Sequence, residues 1–316
     1  MKKFLVLAGP TASGKTEAAF ELSKVIACEM ISCDSMQVYR GMPIATQMPP
    51  KRITRHLKTH LVSFLSPAQE YNAALFRKEV VPLIDKILKR KKMPLLVGGT
   101  GLYLRALLDG LFESDVSEIS KDENLRQRLL SEQETHGGSY LHDKLSKVDP
   151  PSAQKIHPND LRRIVRALEV LYLTGKPMSL QKPMRKGIRN EFAPRIFFLE
   201  RDRADLYERI NRRVDCMMKE GLIEEVKKIS RKKISQTAGM ALGVREIRSY
   251  LRGEMNLDKA VELIKQHSRN YAKRQISWFR HEKDVEFIPV AEGAMAKDIA
   301  NKILSSFRGE AEKSQK

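Results

Sequence analysis

Cysteine is scarce in this chain. Cys28, Cys33 and Cys216 are the three in 316 residues, and none sits in a CxxC pair or a zinc-spaced cluster. That excludes a disulfide framework and a cysteine-held zinc, leaving reduced structural thiols. Long apolar runs are missing too. No uninterrupted stretch approaches the roughly 18 residues a bilayer-spanning helix needs, and the mean hydropathy is −0.42. The opening Met-Lys-Lys runs straight into Phe4–Ala8 and a glycine loop, without the length or cleavage site of a secretory leader. The expectation is a cytoplasmic protein with no membrane partner. Acidic residues fall well short of basic ones: 39 Asp and Glu stand against 58 Lys and Arg, a net charge of +19. Such an excess suits a polyanionic partner, nucleic acid before an anionic membrane surface.

What is present reads as two compact units, since 316 residues with 41% hydrophobic content exceed one average domain. No internal repeat occurs. Phe4-Leu5-Val6-Leu7-Ala8 is a continuous apolar run, the pattern of a strand buried on both faces of a parallel sheet. From Thr16 the apolar residues Ala18, Ala19, Leu22, Val25 and Ile26 keep helical spacing. Met30–Cys33 is a second strand, 73–91 a second helix, and Pro94–Val97 a third strand entering Gly98-Gly99-Thr100-Gly101. Strands alternating with helices predict an α/β fold with a parallel sheet. The predicted core occupies 1–114 and resumes at 191–307 with the strand Arg195–Leu199. Between them, 115–190 reads as an inserted helical domain, with one helix from Pro158 to about Tyr172, stopped by Thr174-Gly175-Lys176-Pro177. After Leu199 the periodicity predicts helices over 206–229 and 257–280. Residues 308–316 are polar and charged, and are read as a flexible tail.

Gly9-Pro10-Thr11-Ala12-Ser13-Gly14-Lys15-Thr16 matches GxxxxGK[ST] between a buried strand and an amphipathic helix, where a phosphate-binding loop must lie. Successive backbone N–H groups and the helix N-terminus cradle a di- or triphosphate, Lys15 adds a point charge, and the Thr16 hydroxyl is placed to ligate Mg²⁺. Asp34 ends the next strand at the same sheet edge. It has two available jobs there: holding Mg²⁺, or acting as general base toward an acceptor. The Gly98–Gly101 turn leaves a third strand at that edge, and its glycines let backbone approach a ligand, with Thr100 facing the site. Arg209, Arg212 and Arg213 can close over phosphates from the following helix, or form a solvated face. Residues 151–190 carry nine Lys and Arg against two acids, and 265–283 carry six against one, the latter interleaved with Tyr271, Trp278 and Phe279. Together they resemble a nucleic-acid footprint.

A phosphate loop with no NKxD or DxxG string disfavours a GTPase. A small-molecule or nucleotide kinase remains open, as does an enzyme acting on RNA with a phosphorylated donor; the net charge favours the latter. The succession GPTASGKT, ISCDSMQVYRGM, PLLVGGTGLYLRALLDGL, IHPNDLRRIVRALEV, YERINRRVDCMMKEGLIEEV and AKRQISWFR, over residues 3 to 290, resembles the bacterial-type tRNA dimethylallyltransferase (tRNA isopentenyltransferase) family. The resemblance implies a P-loop NTPase-like core with a helical insertion. It also implies transfer of the dimethylallyl group of dimethylallyl diphosphate to N6 of adenosine 37, 3′ of the tRNA anticodon, with Mg²⁺ as cofactor and a monomeric enzyme.

By the same resemblance Asp34 is the general base, and Asp34, Ser35, Met36 and Gln37 touch tRNA. Thr100 contacts the reacting nucleotide and Arg126 meets the tRNA. The segment Arg162-Arg163-Ile164-Val165-Arg166 meets the anticodon arm, and Arg213 binds diphosphate beside the residues of the phosphate loop. Two departures stand out. Met42–Pro49 replaces the usual MDIGTAKP, and Val244 stands where relatives carry an aromatic.

Overall fold

The computed structural model describes residues 2–110, 122–180 and 187–313, with side chains to residue 308. The chain forms two compact units, Met1–Leu107 with Ile188–Lys316, and Leu108–Gly187.

The first unit is built on a sheet. Its elements are β1 (Lys2–Ala8), α1 (Lys15–Ser23), β2 (Cys28–Cys33), the single turn α2 (Lys51–Thr54), β3 (Thr59–His60), α3 (Ala73–Lys89), β4 (Met93–Gly98) and α4 (Gly101–Leu108). The second unit, largely the insertion, contributes α5 (Glu123–His136), α6 (Tyr140–Val148), α7 (Pro150–Lys155) and α8 (Leu161–Thr174). The first unit then resumes with β5 (Phe192–Arg201), α9 (Arg203–Lys219), α10 (Leu222–Ser230), α11 (Val244–Leu251), α12 (Leu257–Arg280), β6 (Val285–Val290) and α13 (Ala296–Lys313).

Six strands pair in the order β3-β2-β4-β1-β5-β6, every pair parallel. The continuous apolar runs demand this arrangement, because helices cover both faces and leave no solvated side. Phe4 to Ala8 are all buried, as are Leu95 to Val97 and Ile196 to Leu199. On one face Ala18, Ala19 and Leu22 of α1 pack with Ile299, Ile303 and Leu304 of α13. This is the phosphate-loop NTPase-like sheet expected from the sequence. The register then sets the site. Cys33 pairs with Gly98, and Gly98 with Ala8, so three strands end in one row. Asp34, Gly99 and Gly9 therefore start three neighbouring loops, spaced at about 4.8 Å per strand.

The expected helix over 206–229 is two helices. Gly221 breaks it, adopting φ +98°, a left-handed conformation that glycine takes at no steric cost. The helix expected from Pro158 starts at Leu161, where Asp160 accepts the Arg163 N–H as its cap. The strand β6 was not legible as such, and α13 runs to Lys313, beyond the tail expected from Arg308. Glu310, Ala311, Glu312 and Lys313 are good helix formers, and they extend a helix already anchored by Ile299 and Ile303. The domain boundary expected near residue 115 lies outside the described residues. The second unit has its own core of Leu129, Leu141, Leu145, Ile164, Val165 and Leu168.

Candidate active site

The phosphate loop joins β1 to α1. Ala12 adopts φ +63° and Gly14 φ +96°, bending the loop so that α1 begins at Lys15. Two arginines hold its outer carbonyls. Arg201, itself paired with Asp205 at 2.8 Å, donates Nε to the Ser13 carbonyl at 3.0 Å, and Arg209 donates Nε to the Ala12 carbonyl at 2.9 Å. The Lys15 ammonium folds back to donate to the Pro10 carbonyl at 2.7 Å. Burial pushes its pKa down to about 8, aided by Arg213 and opposed by Asp34 and Glu17. A lysine so poised is a charge held out of water, ready for an anion.

Asp34 closes β2. Its Oδ1 accepts the Met36 N–H at 2.8 Å, and the Ser35 N–H donates to Thr100 Oγ1 at 3.3 Å. Burial pushes the Asp34 carboxyl above the usual carboxylate range, while the Met36 and Gln37 N–H groups and the Lys15 charge pull it back. A carboxylate made more basic by a dry site is suited to proton abstraction. Thr100 is tied to β2 by its N–H, which donates to the Cys33 carbonyl at 3.3 Å. The Gly98–Thr100 turn is thus fixed against Asp34 on one side and the phosphate loop on the other.

The segment after Asp34 returns to the phosphate loop through side chains. Ser32 Oγ donates to Gln37 Oε1 at 2.8 Å, Gln37 Nε2 donates to the Gln47 carbonyl at 3.2 Å, and Thr11 Oγ1 donates to Gln47 Oε1 at 3.1 Å. Gln47 belongs to the unusual loop 42–49. Glu225 of α10 fixes that loop, accepting the Ile44 and Ala45 N–H groups at 3.0 and 2.8 Å. Val244, the other departure, is fully buried and offers no stacking face.

The three arginines of α9 divide by position. Arg209 supports the loop backbone. Arg212 forms an exposed pair with Glu208 at 3.5 Å. Arg213 lies in the field of Lys15 and is otherwise exposed. No cluster of three His, Cys, Asp or Glu able to hold a metal occurs among the described residues. The hydroxyl of Thr16 and the oxygens of a bound diphosphate make a hard, all-oxygen donor set that fits Mg²⁺.

In the second unit the arginines expected at tRNA have different surroundings. Arg126 makes two bonds of 2.7 Å to Glu169, and Arg166 Nη1 lies 2.5 Å from the same carboxylate. Glu169 is fully buried and also accepts the Asp122 N–H at 3.1 Å. Burial opposes its charge, yet the two guanidiniums hold its pKa below the usual range. Ile164 and Val165 sit in the core, so they orient α8 and present no side chain outward. Arg162 and Arg163 are exposed, Arg163 with Asp160 at 3.3 Å.

Sequence reasoning did not single out Arg201, Gln47, Glu225 or Gln275. The last carried a signal: it is a lone amide within the buried stripe Ile264, Ala272, Phe279 of α12.

The family model described as IPP transferase matches residues 37–282. The tRNA dimethylallyltransferase of Carboxydothermus hydrogenoformans is 42% identical over 305 residues, covering 96% of this chain and 97% of that protein. That of Halothermothrix orenii is 40% identical, covering 92% and 88%. Among solved structures, the full-length tRNA isopentenylpyrophosphate transferase of Bacillus halodurans aligns over all of both chains with 37% identity and a TM-score of 0.71. A eukaryotic dimethylallyltransferase solved acting on tRNA aligns over 98% of this chain and 80% of that one, at 28% identity and a TM-score of 0.77.

Proposed function

The chain belongs to the IPP transferase family, and on that premise we propose that it transfers the dimethylallyl group of dimethylallyl diphosphate to N6 of adenosine 37 in tRNA. The observation that carries this reading is the row of loops at the sheet edge. It sets Asp34, a carboxylate made more basic by its surroundings, across the Thr100 turn from an anion-binding loop whose lysine is half-buried.

The exocyclic N6 of adenine is a weak nucleophile, because its lone pair is delocalised into the ring. In the proposed reaction Asp34 accepts an N6 proton as the N6–C1 bond forms. The allylic C1–O bond breaks, and its electron pair leaves on the diphosphate oxygen. Negative charge grows on that leaving group, to which we assign the loop amides, Lys15 and Arg213, and stabilising developing charge in a dry site is commonly worth roughly 3 kcal/mol per group. Bound Mg²⁺ would neutralise further diphosphate charge, held by Thr16. Water competes for an electron-poor allylic carbon, so the adenine must seal the site. It can reach the Asp34 carboxylate only when extruded from the anticodon stack.

Asp34 to Gln37 and Thr100 are assigned to the nucleotide. Arg162 and Arg163 are assigned to the phosphates of the anticodon arm, with Arg126 and Arg166 beside them. The working enzyme is taken as a cytoplasmic monomer; no described helix is long and apolar enough to cross a membrane. The test is direct. Incubation with Mg²⁺, labelled dimethylallyl diphosphate and unmodified tRNA carrying adenosine 37 should place label in RNA and release diphosphate. Label absent from RNA, with ATP consumed against a small acceptor, would replace the reading with a kinase.

A further inference from the structure

Helix α12 touches each residue of the turn 99–101 with a different side chain. Gln275 Nε2 donates to the Gly99 carbonyl at 3.0 Å. One turn earlier, Tyr271 lies beside Thr100, close enough for that side chain to bear on its hydroxyl. One turn later, Trp278 packs so closely on Gly101 that a Cβ there would lie 2.2 Å from its ring. Spacings of four and three put all three on one helical face. Of these, Gln275 alone also reaches the phosphate loop: its Oε1 accepts the Thr11 N–H at 3.0 Å. Its side chain is buried, and a Cβ on Gly99 would fall 2.1 Å from Nε2.

Thr11 belongs to the loop that receives diphosphate, and Gly99 precedes the threonine assigned to the nucleotide. One amide thus spans the two halves of the site. Its partners dictate its chemistry, because the Thr11 N–H requires an acceptor and the Gly99 carbonyl requires a donor. A carboxylate would satisfy the first and repel the second; a thioether would satisfy neither. Buried between Ala272 and Phe279 of the same face, the amide is costly unless both bonds form.

We infer that Gln275 is a positioning residue, a buried brace that fixes the spacing between the phosphate loop and the Gly99–Thr100 turn. It touches neither reactant. It acts by holding donor and acceptor at reacting distance, where a misplacement of about 1 Å costs on the order of a hundredfold. The inference rests on the transfer reaction proposed above.

Two variants test it against the wild-type enzyme, whose transfer of label to tRNA is measured first. Gln275→Met keeps shape and removes both bonds. It should lower kcat at least tenfold while KM for each substrate moves less than threefold. Gln275→Glu should be pH-sensitive in a way a packing role would not produce. Its protonated acid can donate to Gly99 and accept from Thr11, whereas its carboxylate cannot. The ratio of variant to wild-type kcat should therefore fall as pH rises, a ratio that cancels the titration of Asp34. A ratio flat across pH 5.5 to 8.5, or wild-type kcat in Gln275→Met, overturns the inference. If Gln275→Glu does not fold, the Gln275→Met kcat decides alone. A wild-type enzyme that transfers no label would instead refute the proposed function.

Discussion

Consider Asp34→Asn. The amide oxygen of Asn can keep the bond from the Met36 N–H, which is 2.8 Å long in the native turn, so the loop should hold its shape. What is lost is the charge and the capacity to accept the N6 proton. A positioned general base contributes about 10²–10⁴ in rate, or about 3–6 kcal/mol at roughly 1.4 kcal/mol per decade. A second effect travels with the first. Burial pushes the Lys15 pKa down to about 8, and the Asp34 charge is the main influence opposing that fall; with a pKa of about 8, about nine-tenths of it is protonated at pH 7. Removing Asp34 lowers Lys15 further, so the variant's donor binding should weaken between pH 6 and 8 more than the wild type's. Single-turnover transfer with both substrates prebound separates the two. The expected result is donor and tRNA affinity within tenfold of wild type at pH 6.5, and transfer slowed at least a hundredfold. The wild type should also lose rate as pH falls through the raised Asp34 pKa, because the base must be ionised. Transfer within threefold of wild type would remove Asp34 from the chemical step, and recovery of the wild-type rate on raising Mg²⁺ would make it a metal-holding residue; either result refutes its role as base.

Other perturbations follow from the same geometry. Lys15→Ala should reduce transfer at saturating donor by at least a hundredfold, since the phosphate loop's half-buried charge is lost; unchanged turnover would remove Lys15 from the reaction. Replacing Arg162 and Arg163 together with Ala should lower the salt slope of tRNA binding by up to about 0.9 per lost phosphate contact and leave donor affinity alone. Arg126→Met should instead lower the melting temperature, because it strips a partner from buried Glu169, a loss commonly worth about 3 kcal/mol. Glu29 is buried beneath Arg90, His60 and Lys92; burial opposes its charge, but their hydrogen bonds hold its pKa at about 2. A depressed carboxylate stabilises the fold above its unfolded pKa and loses that effect as pH falls toward 2. Glu29→Gln should therefore flatten the acid limb of stability measured by chemical denaturation from pH 5 to 2, and an unchanged limb would contradict it.

The parts of this site legible in the sequence are contiguous ones. The phosphate loop announces itself because eight adjacent residues must each serve one anion, and Asp34 and Thr100 are legible because each follows an apolar run that can only be a strand. Gln275 was not legible as a brace: its partners lie 264 and 176 residues away, and only the register that brings β1 beside β4 makes them neighbours. Arg126 and Arg166 were legible as charge, but their shared pairing with buried Glu169 was not, because it depends on how α5 packs on α8. Gly221 shows how periodicity alone misleads, since apolar residues continue on both sides of a two-residue break.

The place of β1 in the sheet governs the order in which a nascent chain can complete it. Residues 2 to 8 find one neighbour in 95 to 98, but their other neighbour begins at Phe192. At about 5–20 residues per second, some 5–20 s of synthesis separate the two pairings. Throughout that interval one long edge of the most apolar strand has no hydrogen-bonding partner, while the chain between is being spent on a helical unit with its own core. Slowing synthesis across residues 100–190 lengthens the time that edge stays unpaired, so such slowing is expected to lower the yield of soluble protein.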